Sequence, residues 1–205
     1  MLVLQIVEDL LFMDGRSRFI YERFGIEKGH MVAVLDGVRG VIDWLRGSVF
    51  CNLVRDVTFY ISDEPINFPA ELALEEDGQG DDDCEVVVYL NVMSIAEDYK
   101  NGEYMLDLKR SDVACFEYAA FIVLHEVGHF VHANLGCSGR SMRDRLYAYL
   151  DQGAYFYDRY EAWMDRGYSV VEKKRYRRIP QEKAADAFAK QWLDVMMGRI
   201  GEGMD

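Results

Sequence analysis

The stretch from Ser111 to Leu135 constrains the fold more than any other part of the chain. It is apolar along most of its length and carries His125-Glu126-Val127-Gly128-His129 near its end. It reads as a helix, capped by Ser111 or Asp112 and stopped by Gly136. Two histidines four residues apart stand one turn apart on the same helical face, about 6 Å along the axis. Their imidazoles can close on a single Zn²⁺, leaving a third protein ligand and one open position to be found. Glu126 directly follows the first histidine, so it flanks such an ion without having to bind it. There it can take a proton from a water held by the metal. A chance match on a buried helix is the competing reading, and the rest of the chain has to decide.

At 205 residues the chain fits one domain, residues 1–205, large enough to bury a core without metal or disulfide help. A hydrophobic fraction of 50% and 13% aromatics belong to a globular protein rather than a disordered one. The net charge of −13 argues against a general nucleic-acid or anionic-membrane surface. The basic run at 173–178 (KKRYRR) is short and embedded in an acidic chain, so it reads as a solvated helix end or as local charge pairing. No apolar run is long enough for a bilayer crossing. The first 15 residues lack a basic leading region and carry Glu8, Asp9 and Asp14, which makes a poor secretory signal. Cys51, Cys84, Cys115 and Cys137 are scattered and form no C-x-x-C, as free thiols in a reducing interior would be. A cytoplasmic location is expected, with no membrane or nucleic-acid partner.

Periodicity supplies the remaining elements. Residues 2–13 favour a helix, and Met31, Val34, Leu35, Val38, Val41, Ile42 and Leu45 make 30–46 an amphipathic helix ended by Gly47. Residues 56–62 and 85–91 read as strands, the second being the better of the two. Ser94 with Glu97 forms a capping-box start for a short helix. Residues 75–85 are acidic and read as a solvated loop. The consecutive Asp81, Asp82 and Asp83 fit the alternating ligands of a calcium loop poorly. Residues 141–167 look helical and tyrosine-rich, with Gly153 as a break, and a last helix runs from Pro180 to Met197. Strands early and helices late predict an α+β fold.

Two routes could complete the metal site. A third histidine in the H-E-x-x-H-x-x-G-x-x-H arrangement is closed, because His132 and Leu135 occupy the glycine and last-histidine positions. His132 shares the motif's face but sits about 10 Å beyond His125 along the axis, so it reads as a supporting histidine. The other route is a carboxylate from a separate helix. Glu182 and Asp186 lie four apart in EKAADAFA, where small alanines permit close approach to another helix. One of the two could bind the metal while the other accepts the free N–H of a ligating imidazole. Glu161 is the rival, but the bulky Trp163 and Met164 beside it suit a close helix crossing less well.

HEVGHFVH followed by YRRIPQEKAADAFA resembles the zincin-like metallopeptidases of the ImmA/IrrE type. These pair an H-E-x-x-H helix with a later E-x-x-A-[DN]-x-F-A helix, often introduced by a proline two residues earlier. Pro180, Glu182, Ala185, Asp186, Phe188 and Ala189 match it, and the similarity spans roughly residues 85–195. It implies one Zn²⁺ held by His125, His129 and Glu182, Glu126 as general base, and Asp186 supporting a ligand histidine. It further implies a zincin-like domain: a small mixed or antiparallel sheet, an H-E-x-x-H helix and a C-terminal glutamate helix. Residues 85–195 would form the catalytic core, with N-terminal helices and the first strand supplied by 1–80.

The reaction expected is zinc-dependent hydrolysis of a peptide bond in a protein substrate, with a regulatory protein as one candidate. An oxyanion donor would come from Tyr155, Tyr157, Tyr160 or Tyr176. The strand bearing Val86, Val88 and Leu90 is expected at the sheet edge, where its backbone could hold an extended peptide. A zinc-containing protein of the same fold that recognises a peptide or regulator without cutting it is the alternative. Glu126 favours the enzyme.

Overall fold

The sheet is built on the two stretches richest in β-branched and aromatic residues, Val57–Ser62 and Cys84–Asn91. The computed structural model describes residues 4–11, 15, 17–66, 68–76, 84–164 and 170–202. In chain order its strands are β1 (Gln5–Asp9), β2 (Val57–Ser62), β3 (Ala70–Glu76) and β4 (Cys84–Asn91). The helices are α1 (Ser17–Phe24), α2 (Lys28–Arg46), α3 (Val92–Lys100), α4 (Tyr104–Asp107), α5 (Cys115–Gly136), α6 (Met142–Glu161), α7 (Val170–Tyr176) and α8 (Pro180–Glu202). Strand order is β1-β2-β4-β3, with β1, β2 and β4 parallel and β3 antiparallel to β4. The fold is α+β with a small mixed sheet.

Alternation along each strand puts one face of this sheet on the helices. Leu4, Phe59, Ile61, Val86, Val88 and Leu90 are buried there in a single core with α2 and α5. The helix that carries the histidine motif, α5, is buried around most of its circumference. Two glycines set how near its neighbours come. A Cβ on Gly37 of α2 would lie 2.2 Å from the Phe116 carbonyl oxygen of α5. A Cβ on Gly128, inside the motif, would lie 3.1 Å from the Ala185 Cα of α8. The small residues expected to permit a close crossing are at the contact, with Ala185 and Ala189 fully buried.

Several boundaries differ from the sequence reading, each for a local reason. Residues 5–9 are a strand rather than part of a helix, because they pair in parallel with β2, Ile6 beside Phe59. Alternation then sends Glu8 to the helix side, where Arg39 of α2 holds it through two hydrogen bonds of 2.9 and 2.6 Å. The sequence reading has no element at β3, whose Ala, Glu and Leu favour helices. Seven residues of antiparallel pairing with β4 override that preference. The cap of α3 is Asn91, whose side chain accepts from the Ser94 N–H at 2.8 Å, and not Ser94 itself. The Ser94 hydroxyl instead accepts from the Phe68 N–H and donates to the Ile66 carbonyl, tying down the β2–β3 connection.

The motif helix starts at Cys115, not at Ser111 or Asp112, because Ala114 is extended and Glu117 reaches back to accept from its N–H. Helix α6 runs through Gly153 without a break. A side chain there would press on Tyr157 and on Gln181 at the start of α8, which accounts for the glycine. Asp81, Asp82 and Asp83 lie outside the described residues. Cys51, Cys115 and Cys137 are free thiols. Among the described residues no helix is long and apolar enough to cross a membrane.

Candidate metal centre

The close α5–α8 crossing puts Glu182, in the first turn of α8, opposite the two histidines. Acidic residues are favoured in a first helical turn by the exposed N–H groups, so this placement is locally consistent. Nε2 of His125 lies 3.0 Å from Nε2 of His129 and 3.1 Å from Glu182 Oε2, and Nε2 of His129 lies 3.5 Å from Glu182 Oε1. All three residues are buried, and among the described residues they form a group able to hold a metal ion. Two ligands of a tetrahedral zinc, each about 2.05 Å from it, stand about 3.4 Å apart, close to these separations.

The chemistry of the donor set fits a cation as well. Nδ1 of His125 lies 2.9 Å from Asp186 Oδ1, its partner for an N–H, which turns the lone pair of Nε2 toward the cluster. Nδ1 of His129 is 2.8 Å from the Tyr149 hydroxyl. Two imidazole lone pairs and a carboxylate therefore converge on one spot, which is stable only with a proton or a metal ion between them. Burial opposes charging of His125, but the hydrogen bonds to Asp186 and Glu182 outweigh it and hold the ring up at about 9. Burial and the charge of His125 push His129 down to about 4. Burial also resists ionisation of Glu182, yet His125 and His129 prevail and hold the carboxylate at about 2.

Glu126 stands beside this cluster, half-buried and with no hydrogen bond among the described residues. Desolvation is the main influence on it and pushes the carboxyl up to about 7, with His125 opposing. A carboxyl in that range is suited to proton transfer near neutral pH.

Around the cluster, Glu182 Oε1 accepts from the Tyr157 hydroxyl at 2.7 Å and from the Tyr176 hydroxyl at 2.9 Å. Of the four tyrosines the sequence singled out, these two reach the site. Tyr160 packs its ring on Tyr176, and Tyr155 is exposed. Glu161 is exposed at the end of α6 and does not join the cluster, whereas Asp186 does so through His125. His132 touches none of the three donors directly; its Nε2 lies 3.3 Å from the Ala184 carbonyl, linking α5 to α8.

The strand with Val86, Val88 and Leu90 is not an edge. Both sides of β4 are occupied, by β2 and β3, and those three side chains are buried in the core. The edge position beside the motif helix belongs to β3.

Three residues of the site escape a reading of the sequence. Tyr149 lies in the tyrosine-rich helix with nothing to separate it from its neighbours. Arg177 belongs to the basic run 173–178, yet it spans two carboxylates, 3.0 Å from Asp186 Oδ1 and 3.0 Å from Asp107 Oδ1. Asp107 also accepts from the Tyr118 hydroxyl at 3.2 Å. A chain of alternating charges thus runs from Asp107, which Tyr118 hydrogen-bonds, through Arg177 and Asp186 to His125. Charge pairing, one of the two readings given to the basic run, holds for Arg177 and for Lys173, which pairs with Glu103. No family model, curated protein or solved structure matches the chain.

Proposed function

We propose that this chain is a zinc metallopeptidase with a zincin-like fold of the ImmA/IrrE type, hydrolysing a peptide bond in a protein substrate. The observation that carries the reading is the convergence of His125, His129 and Glu182 with the unpartnered Glu126 beside them. His125, His129 and Glu182 would hold the metal. When bound, it would make a water nucleophilic at neutral pH and polarise the scissile carbonyl.

The remaining work falls to the chain's own side chains. Glu126 takes a proton from the attacking water and returns it to the leaving amine. Asp186, held by Arg177, fixes the ring of His125, and Tyr149 fixes that of His129. Tyr149, Tyr157 and Tyr176 remain neutral across physiological pH, because burial pushes each of them up; Tyr157 and Tyr176 donate to Glu182, while Tyr149 accepts from the Nδ1–H of His129. Tyr157 and Tyr176, which already donate to Glu182, are the candidate donors for a developing oxyanion. The outer edge of β3 offers backbone groups to an extended peptide by strand addition.

Zinc stoichiometry of the parent, Glu182→Ala and Glu161→Ala proteins, with peptide hydrolysis by the parent and Glu126→Gln, tests the proposal. About one zinc in the parent and in Glu161→Ala is expected, with loss in Glu182→Ala. Glu126→Gln should keep its zinc and lose hydrolysis. Equal zinc in parent and Glu182→Ala would remove the site, and unchanged turnover in Glu126→Gln would remove the mechanism.

A further inference from the structure

A cavity of about 1250 Å³ opens next to the metal centre, on the side of Asp186 and Arg177. Its floor reaches those two residues and Tyr176, so it begins one side chain away from His125. Helices α7 and α8 contribute residues to its lining, and so do α3 and α4.

The charges on these walls do not cancel. Lys173 is paired with Glu103, and Arg177 with Asp107 and Asp186. Outside those pairs the lining retains Lys109, Lys174, Arg178, Lys183 and Lys190, none of which has an ion-pair partner among the described residues. Lys190 makes only a cation–π contact with Phe121. Against these stand Glu97 and Asp98 outside the pairs and the one carboxylate by which Asp107 and Asp186 exceed Arg177, so that seven lining cations face five carboxylates. The chain as a whole has 36 acidic residues to 23 basic ones, so its cations could find partners almost anywhere on the surface. Five without an ion-pair partner among the described residues, around one concave site, form a local positive field, and low-dielectric walls focus such a field on a ligand. Apolar groups, among them Ile66, Met93, Leu106 and Met164, line the same space. A ligand with both an apolar body and negative charges matches it.

We infer that this cavity binds an acidic segment of the peptide substrate, its carboxylates meeting Lys174, Arg178 and Lys183 while the adjoining chain passes the metal centre. The inference rests on the peptidase reading and adds the class of substrate: a peptide with glutamate or aspartate flanking the bond to be cut. Rim cations act mainly on encounter and selection, so discrimination by charge is the property to measure.

Fluorescence anisotropy of the full chain with a labelled peptide rich in glutamate, its glutamine twin and its lysine twin tests this, with and without zinc. The glutamate peptide should bind at least about tenfold more tightly than the glutamine twin, with the difference shrinking as salt rises. Lys174→Glu/Lys183→Glu should abolish that preference and improve binding of the lysine twin. Both lysines are exposed, so a cooperative thermal melt near that of the parent is expected. Lys28→Glu, outside the cavity, should leave the preference intact.

Equal binding of the glutamate and glutamine peptides would overturn the inference, as would an unaltered preference in the double variant. Displacement of the peptide by micromolar inorganic phosphate would assign the cavity to a small free anion and overturn it too. With cleavage of the same peptides followed by mass spectrometry, the expected charge preference without cleavage would keep the cavity as an acidic-peptide site and remove the peptidase reading. Cleavage with no charge preference would do the reverse.

Discussion

Metal binding at His125, His129 and Glu182 should release a countable number of protons. Without a metal, His125 titrates at about 9, His129 at about 4 and Glu182 at about 2. Between these limits one of the three donors, His125, carries a proton that a metal must displace. Glu126, pushed up to about 7, is a second source, because a nearby dication would favour its ionised form. Glu126→Gln removes that second source. In this variant the apparent zinc affinity should rise about tenfold per pH unit, or roughly a hundredfold from pH 5.5 to pH 7.5.

The sign follows from the proton count. The metal-free site holds more protons than the metal-bound one, so raising the pH favours the metal. The parent should show a steeper rise below pH 7, by up to one further proton. Competition with a chromophoric chelator gives the slope, and calorimetry in buffers of different ionisation enthalpy counts the protons directly. A slope near zero in Glu126→Gln would mean that His125 is neutral and that Asp186 and Glu182 do not hold it charged. A slope near two would mean that His129 is also protonated, against the reading of a ring kept neutral by burial.

Three further outcomes follow from the packing around α5. Gly37→Ala would press a methyl onto the Phe116 carbonyl and should lower stability by about 1–3 kcal/mol in a denaturant titration; an unchanged midpoint would contradict the α2–α5 contact. Gly128→Val should force α8 away from α5, so that metal affinity falls while a cooperative melt remains. Zinc affinity equal to the parent's would show that Glu182 does not depend on this crossing. Tyr149→Phe takes away the partner of His129 Nδ1 and should weaken zinc about tenfold with little change in melting temperature, whereas identical affinity would assign Tyr149 to packing alone.

The candidate donors were legible because their spacing is a property of the helix itself. His125 and His129 share a face in any regular helix, and Glu182 with Asp186 follows the same rule. What the spacing left open was which of several carboxylates crosses to the histidines. Exposure of Glu161 and burial of Glu182 answer that, and both depend on how α6 and α8 pack. Arg177 was present in the sequence as one letter of a basic run. Its contacts with Asp107 and Asp186 join residues 70 and 9 positions away, and no periodicity reports such a pairing.

The strands divide in the same way. β2 and β4 carry β-branched and aromatic runs that favour extended chain on their own. β1 and β3 do not, and each is a strand because a neighbour offers it a ladder of hydrogen bonds. That difference moved the sheet edge from Val86, Val88 and Leu90 to β3.

The sequence by itself determined the parts whose physics is local: a helix presenting two imidazoles, a carboxylate helix with small residues at its contact face, and two strong strands. Tertiary structure alone decided what those parts meet. Gly128 opposite Ala185 sets the crossing that closes His125, His129 and Glu182 into one buried group. The physical reason is distance along the chain. Local spacing fixes groups within a turn or two, while groups more than 50 residues apart meet only where side-chain volume and ladder pairing allow.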